Sequence, residues 1–134
     1  MAKEVTISDF NLILQLAIFA LFLAGIYAMK ARKKSLRKHR VLMGIAVMLN
    51  TVSIFLIMGR SFLNLAGFLA SRFYEFGAVI TSTHVITGSL VQVLGILFLL
   101  KHPRKMRLVM RMATIFWAAA LLLGLVFYAY FYLR

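Results

Sequence analysis

The chain alternates between four long apolar runs and shorter segments rich in charged and polar residues. The runs contain 19 to 25 residues each, include no Asp, Glu, Lys or Arg, and cover residues 10–29, 41–59, 76–100 and 112–133. A helix needs about 20 such residues to cross the roughly 30 Å hydrocarbon core of a bilayer. The pattern therefore predicts an all-α integral membrane protein with four transmembrane helices.

Short connections join the first helix to the second and the third to the fourth. Because short connections join antiparallel neighbours, we predict a four-helix bundle made of two antiparallel hairpins, within a single domain, 1–134. Residues 61–74, between the hairpins, are apolar but interrupted, with Phe62, Leu65 and Phe73 near helical spacing. This spacing predicts a short amphipathic helix that lies along the outward-facing surface of the membrane.

Small and polar residues indicate which face of each helix packs against protein, because apolar side chains lose nothing by facing lipid. In every span these residues recur at steps of three and four positions, so each helix has one such face. The predicted faces are Asn11, Gln15, Ile18, Phe22, Gly25 and Met29; His39, Met43, Ala46, Asn50, Ser53 and Ile57; Thr81, His84, Gly88, Gln92 and Gly95; and Trp117, Leu121, Gly124 and Tyr128.

Composition agrees with a membrane protein. Hydrophobic residues make up 63% of the chain and the mean hydropathy is +0.95, more than a soluble domain of 134 residues can bury. The chain has no cysteine, which excludes disulfides, cysteine zinc sites and thiol chemistry. Any metal or haem must therefore be held by His, Met or oxygen ligands.

The net charge of +13 is distributed unevenly along the chain. Lys and Arg crowd the segments 30–40 and 101–111, whereas the only acids are Glu4, Asp9 and Glu75. Excess Lys and Arg in short loops marks the cytoplasmic side of a membrane protein. We therefore predict that both basic loops are cytoplasmic and that both termini lie outside. The basic residues are expected to interact with membrane lipid and not with nucleic acid.

Histidines are the first candidates for cofactor ligands. His84 lies eight to ten residues inside its span, and a histidine within a membrane helix is costly enough to be a functional candidate. His39 and His102 lie at inner helix ends among basic residues, and the alternative role of both is that of an interfacial group. A bis-His haem suits His39 with His102 better than His39 with His84, because roughly 16 Å separates the latter two along the bundle.

Methionine widens the choice of metal. Met43 lies one helical turn from His39, and histidine with methionine can bind copper. The alternative interpretation of His84 is a buried histidine that simply bonds Asn50 or a threonine. Five side chains are predicted to lie around the ligands: Asn50, Thr81, Gln92, Trp117 and Tyr128. The alternative role of each is ordinary helix packing or membership of an aromatic belt.

Several catalytic patterns are missing from the sequence. It has no paired carboxylates, no glycine-rich phosphate loop, no HExxH and no pairing of a nucleophile with a base. No span contains an acid, so a proton pump built on a carboxylate relay is not expected either. We therefore expect a protein without enzymatic activity.

Two segments resemble a known family. HRVLM, from His39 to Met43, opens the second span, and TSTHVITG carries His84 in the third. Together with Trp117, Gly124 and Tyr128 they resemble the YozB/CtaM-like family of small prokaryotic membrane proteins, from the second span onward. The resemblance implies a plasma-membrane protein that assists a respiratory haem–copper oxidase, in its assembly or in handling its haem or copper.

Two other functions remain open from the sequence. One is a haem b electron carrier linked to quinone, and the other is a small transporter or structural membrane subunit. Besides membrane lipid, the expected partners are terminal oxidase subunits or another respiratory complex. Four-helix bundles are compatible with all three functions. The predicted cofactor ligands are His84, His39, His102 and Met43, with His84 and His39 as the metal ligands.

Overall fold

The computed structural model describes residues 6–30, 35–100 and 106–133. Nearly all of these residues are helical, and none of them forms a strand. In order, the elements are α1 (Ile7–Lys30), α2 (Leu36–Ser53), a π-helical segment (Ile54–Met58), α3 (Gly59–Ser71), α4 (Phe76–Leu99) and α5 (Met106–Tyr132). Four helical stretches of the described chain are long and apolar enough to cross a membrane. The predicted all-α class and its four spans are therefore confirmed.

The chain divides into two compact units, Met1–Gly59 and Arg60–Arg134. Hairpin 1 is the pair α1 and α2 in the first unit, and hairpin 2 is the pair α4 and α5 in the second. Each hairpin is described by itself. The assignment of residues 1–134 to one domain stays a prediction.

Side-chain caps set the starts of the helices in hairpin 1. Thr6 Oγ1 accepts a hydrogen bond from the Asp9 backbone N–H over 3.3 Å, and Asp9 Oδ2 accepts one from the Thr6 N–H over 2.8 Å. This reciprocal pair is a capping box with aspartate at the third helical position. Ser35 is the N-cap of α2, and its Oγ accepts a single hydrogen bond from the Lys38 N–H over 3.3 Å.

The packed faces of hairpin 1 follow the sequence prediction. The buried residues are Ile18, Phe22 and Gly25 on α1 and His39, Ala46, Val47, Asn50 and Ser53 on α2. All of these except Val47 were predicted. The outward residues Ile13 and Leu23 are exposed, as expected for side chains that face lipid.

Along the helix that begins with α2, the predicted and observed packed faces agree only as far as a π-helical turn. The backbone N–H of Gly59 bonds to the carbonyl of Ile54, five residues back, so the turn is wider than that of an α-helix. The turn shifts the angular position of the residues within and after it. Ile57, which was predicted to continue the packed face, is consequently only half-buried.

The helix predicted at residues 61–74 is present as α3, but it is not a separate element. It follows α2 through the π-helical segment to form one helical stretch of 36 residues, Leu36–Ser71. About 20 residues suffice to cross the hydrocarbon core, so α3 is not needed for the crossing. No side chain of α3 is buried, and its location at the membrane interface stays a prediction.

In hairpin 2, the N-terminal end of α4 packs against the C-terminal end of α5. Gly77 lies against Tyr130 and Phe131, and His84, further along α4, bonds to Ala120, so the helices are antiparallel. The predicted residues Thr81, Gly95 and Trp117 are buried, whereas His84, Gln92, Leu121 and Tyr128 are half-buried. Additional buried positions are Gly77, Ala78, Ile80, Val91, Ala113 and Ala120.

We expect replacement of Gly77 by alanine to destabilise hairpin 2. A Cβ at this position would stand 2.8 Å from Tyr130 Cε1 and 3.1 Å from Phe131 Cζ, so both rings must move. Overpacking of this kind typically costs about 1–3 kcal/mol. The free energy of unfolding in detergent measures the effect.

Gly67→Ala on α3 is the matched control. Beyond the backbone of its own helix and its chain neighbours, no heavy atom of the described residues lies within 4 Å of the position that its Cβ would occupy, so the stability of Gly67→Ala should equal or exceed that of the wild type. Equal losses of stability in both variants would contradict the contact assigned to Gly77.

Candidate functional site

His39 lies in the first turn of α2 and is buried against α1. Its Nδ1 lies 2.8 Å from the backbone oxygen of Gly25. A carbonyl oxygen can only accept, so Nδ1 carries the hydrogen and donates it. In the neutral imidazole, Nε2 is therefore the nitrogen with the free lone pair.

Met43, one turn along α2 from His39, packs over the same glycine. A Cβ at Gly25 would stand 3.2 Å from Met43 Cε and 3.4 Å from its Sδ, so the thioether covers the space that the missing side chain leaves. The predicted ligands His39 and Met43 thus both contact Gly25. Apolar packing of a methionine against a helix backbone accounts for this contact without a metal.

His84 has the same kind of anchor in hairpin 2. Its Nδ1 lies 2.9 Å from the backbone oxygen of Ala120 on α5, and here too the nitrogen must donate. Gly124, one turn further on, leaves room for the ring, because a Cβ there would stand 3.0 Å from His84 Cε1. The Phe127 ring lies nearly parallel to the imidazole, at 15°, with the centroids 6.5 Å apart.

The two histidines therefore share one arrangement. Each donates Nδ1–H to a backbone carbonyl of the helix that faces it in its own hairpin. Histidines that bind metals commonly donate the second ring nitrogen to a carbonyl in this way, which fixes the tautomer and the ring orientation. The arrangement also satisfies a histidine with no ligand, so it is compatible with a ligand role and does not require one.

His84 Nδ1 bonds to the Ala120 carbonyl, and the suggested bond of His84 to Asn50 or a threonine stays a prediction. Asn50 belongs to a polar network in hairpin 1. Gln15 Nε2 donates to Asn50 Oδ1 over 3.2 Å and to Ser53 Oγ over 3.1 Å, and Ser53 donates to Asn11 Oδ1 over 2.8 Å. These three bonds join α1 to α2, as expected for polar groups that hold membrane helices together.

The remaining side chains predicted around the ligands lie in hairpin 2. Thr81 donates its hydroxyl hydrogen to the Gly77 carbonyl over 2.7 Å, and Trp117 is buried. Gln92 and Tyr128 are half-buried. Such positions are typical of helix packing, and a role of these side chains around a cofactor stays a prediction.

The residues that orient the two imidazoles were only partly predicted. Gly25 and Gly124 were placed on packed faces, but neither was linked to a histidine. The Ala120 carbonyl and the Phe127 ring were missed, because a backbone acceptor leaves no mark in the sequence and phenylalanine is common in apolar spans. Side-chain spacing thus identifies the histidine and not what holds it.

Metal ligands do not form a cluster in the described parts of the two hairpins. Across residues 6–30, 35–100 and 106–133, no group of three or more His, Asp or Glu side chains is placed to hold an ion. His102, the third predicted ligand, lies outside the described residues. Among the residues that the structure describes, His39 in hairpin 1 and His84 in hairpin 2 each have a tautomer defined by a backbone carbonyl.

Comparisons of the chain with protein-family models, curated proteins and solved structures found no match. The chemistry of the two hairpins, together with the resemblance of the two histidine segments, is therefore the basis on which a function can be proposed.

Proposed function

We propose that this chain is a non-enzymatic accessory membrane protein that assists a respiratory haem–copper oxidase by holding haem or copper during its assembly. One observation supports the proposal most directly. His39 and His84 each have Nδ1–H bonded to a backbone carbonyl, which leaves Nε2 as the nitrogen able to bind a metal.

The donor types fit both metals. Imidazole nitrogen suits haem iron and copper, and the thioether of Met43, one turn from His39, suits the cuprous ion. His84 and His39 would hold the group, and Gly124 and the carbonyls of Gly25 and Ala120 would keep the rings oriented. Haem or copper held in this way is cargo that the oxidase uses in electron transfer to oxygen.

The oxidase as partner is proposed from the resemblance of two segments. These segments, HRVLM and TSTHVITG, are the ones that contain His39 and His84. The residues that carry the resemblance are thus also those with a fixed imidazole. This coincidence favours a role that uses the histidines over a purely structural subunit.

Deletion of the gene in its native host tests the proposal. We expect haem–copper oxidase activity in the membranes to fall while the oxidase polypeptides are still made. Wild-type protein and the control Ile86→Ala, which changes an exposed residue of α4, should restore the activity, and His84→Ala should not. Normal oxidase activity in the deletion strain would reject the proposed function.

Purification of the tagged protein in mild detergent distinguishes the alternatives. Oxidase subunits should accompany it if it is an assembly factor. A permanently bound haem b that is reduced by quinol would instead identify an electron carrier.

A further inference from the structure

We propose that hairpin 1 binds a cuprous ion through His39, Met43 and Met29, at the end where α1 leads into α2. This inference rests on the proposed function, because it names copper as the cargo at one of the two histidines. It adds Met29 as a donor. The argument starts from Gly25, the residue on which all three side chains converge.

His39 and Met29 meet at the backbone carbonyl of Gly25. The Nδ1–H of His39 donates to this oxygen over 2.8 Å. Met29 follows Gly25 by four residues in α1, so its backbone N–H is the helical partner of the same oxygen. A long side chain in an α-helix leans back over the residue four positions earlier, which directs the Met29 thioether over Gly25.

Met43 approaches the same glycine from α2. Its Sδ lies 3.4 Å from the position that a Cβ at Gly25 would occupy. The hydrogen bonds of hairpin 1 make α1 and α2 antiparallel, so methionines that lean back along the two helices lean toward each other. Met29 and Met43 therefore converge on the level of Gly25, where the His39 ring is held.

The donor types match the cuprous ion. Thioether sulfur is a soft ligand that selects Cu(I), and imidazole also binds copper. Because Nδ1 of His39 carries the hydrogen, Nε2 has a free lone pair and can bind a metal without losing a proton. One methionine over a glycine is ordinary packing, whereas two methionines and an oriented imidazole at one glycine form a set of metal donors.

The charge around the site favours a monovalent ion. Arg37, Lys38 and Arg40 are exposed neighbours of His39 on α2, and the three donors are neutral groups that do not offset these charges. Coulomb repulsion is proportional to the charge of the ion, so Cu²⁺ and Zn²⁺ are repelled twice as strongly as Cu⁺. Soft donors and positive surroundings thus select the same ion.

Anaerobic titration of the purified full-length protein with cuprous ion, in competition with a chromophoric chelator, tests the inference. The wild type and His84→Ala are compared, so that copper held in hairpin 2 is counted separately. We expect one cuprous ion per chain to remain bound in His84→Ala and to be lost in His39→Ala. X-ray absorption of the copper in His84→Ala should show two sulfur ligands and one nitrogen ligand.

Leucine substitutions test the two sulfur donors. Met29→Leu and Met43→Leu each remove one sulfur atom while conserving side-chain volume, so the fold should be retained. Each should weaken cuprous binding at least about tenfold, since even the loss of a group that supports a metal ligand typically costs 10–100-fold. Met48→Leu is the matched control, because Met48 is an exposed methionine of α2, and it should bind like the wild type.

Two results would overturn the inference and leave the proposed function standing. One is cuprous binding that is unchanged in both Met29→Leu and Met43→Leu. The other is a Soret band on addition of haem b that depends on His39, in a protein that binds no cuprous ion. Oxidase activity in the deletion strain reports separately on the proposed function, and normal activity there would reject that function without changing the measured copper affinity.

Discussion

Replacing Gly124 by valine is expected to displace the His84 ring and break its hydrogen bond to Ala120. Even the Cβ of alanine would stand 3.0 Å from His84 Cε1 and 3.5 Å from Nδ1, and valine adds two methyl groups. Overpacking should lower the free energy of unfolding by about 1–3 kcal/mol. Because a metal ligand that loses its supporting hydrogen bond typically binds 10–100-fold more weakly, haem or copper affinity should fall by about that factor.

The tautomer of the imidazole gives a readout that does not depend on any ligand. Long-range proton–nitrogen NMR of histidine-labelled protein should show Nδ1 protonated at His84 in the wild type, since that nitrogen donates to a carbonyl. In Gly124→Val this signal should be lost or mixed with the other tautomer. Spectra of His39→Gln and His102→Gln assign the remaining two histidines.

Two comparisons make the Gly124 experiment decisive. Gly67→Val changes an open helical position and should alter neither the tautomer nor the ligand affinity. Gly124→Ala should give a smaller shift in the same direction as valine. An unchanged tautomer together with unchanged stability in Gly124→Val would mean that this glycine does not position the imidazole.

The four spans and most packed faces could be predicted because lipid penalises polar groups strongly. Ser53, for example, is fully buried, and Asn50 lies beside it in the same network, as a polar stripe in an apolar helix requires. Hydrophobic periodicity carries this information directly. The same rule places His39 and His84 on packed faces without any knowledge of their partners.

The features that the sequence does not predict are set by the backbone. Because the charged residue Arg60 ends the second apolar run, the sequence predicted a separate interfacial helix after it. In the structure, α2 instead continues into α3 through a π-helical turn. Helical hydrogen bonds do not depend on side-chain polarity, so a charge ends a span without ending a helix. Gly88 was predicted to lie on a packed face, but a Cβ at this position would meet no neighbouring side chain. A glycine in the sequence is equally compatible with close packing and with open space.

Opposite labelling of two single-cysteine variants is expected in intact cells. The chain has no cysteine of its own, so Leu36→Cys and Tyr74→Cys each carry one thiol, and both positions are exposed. Leu36 lies in the basic segment 30–40, which we predict to be cytoplasmic, and Tyr74 lies in the connection between the hairpins, which we predict to be outside. A membrane-impermeant maleimide should therefore label Tyr74→Cys fully and leave Leu36→Cys unlabelled.

Permeabilised cells supply the control, since both thiols should then react to the same extent. Leu133→Cys, at an exposed position just beyond α5, should label like Tyr74→Cys, because two further spans return the chain to the same side. Labelling of Leu36→Cys alone in intact cells would invert the topology and place the basic loops outside. The inner helix end that carries His39 would then also face outward, where a cytoplasmic supply of haem or copper does not reach it directly.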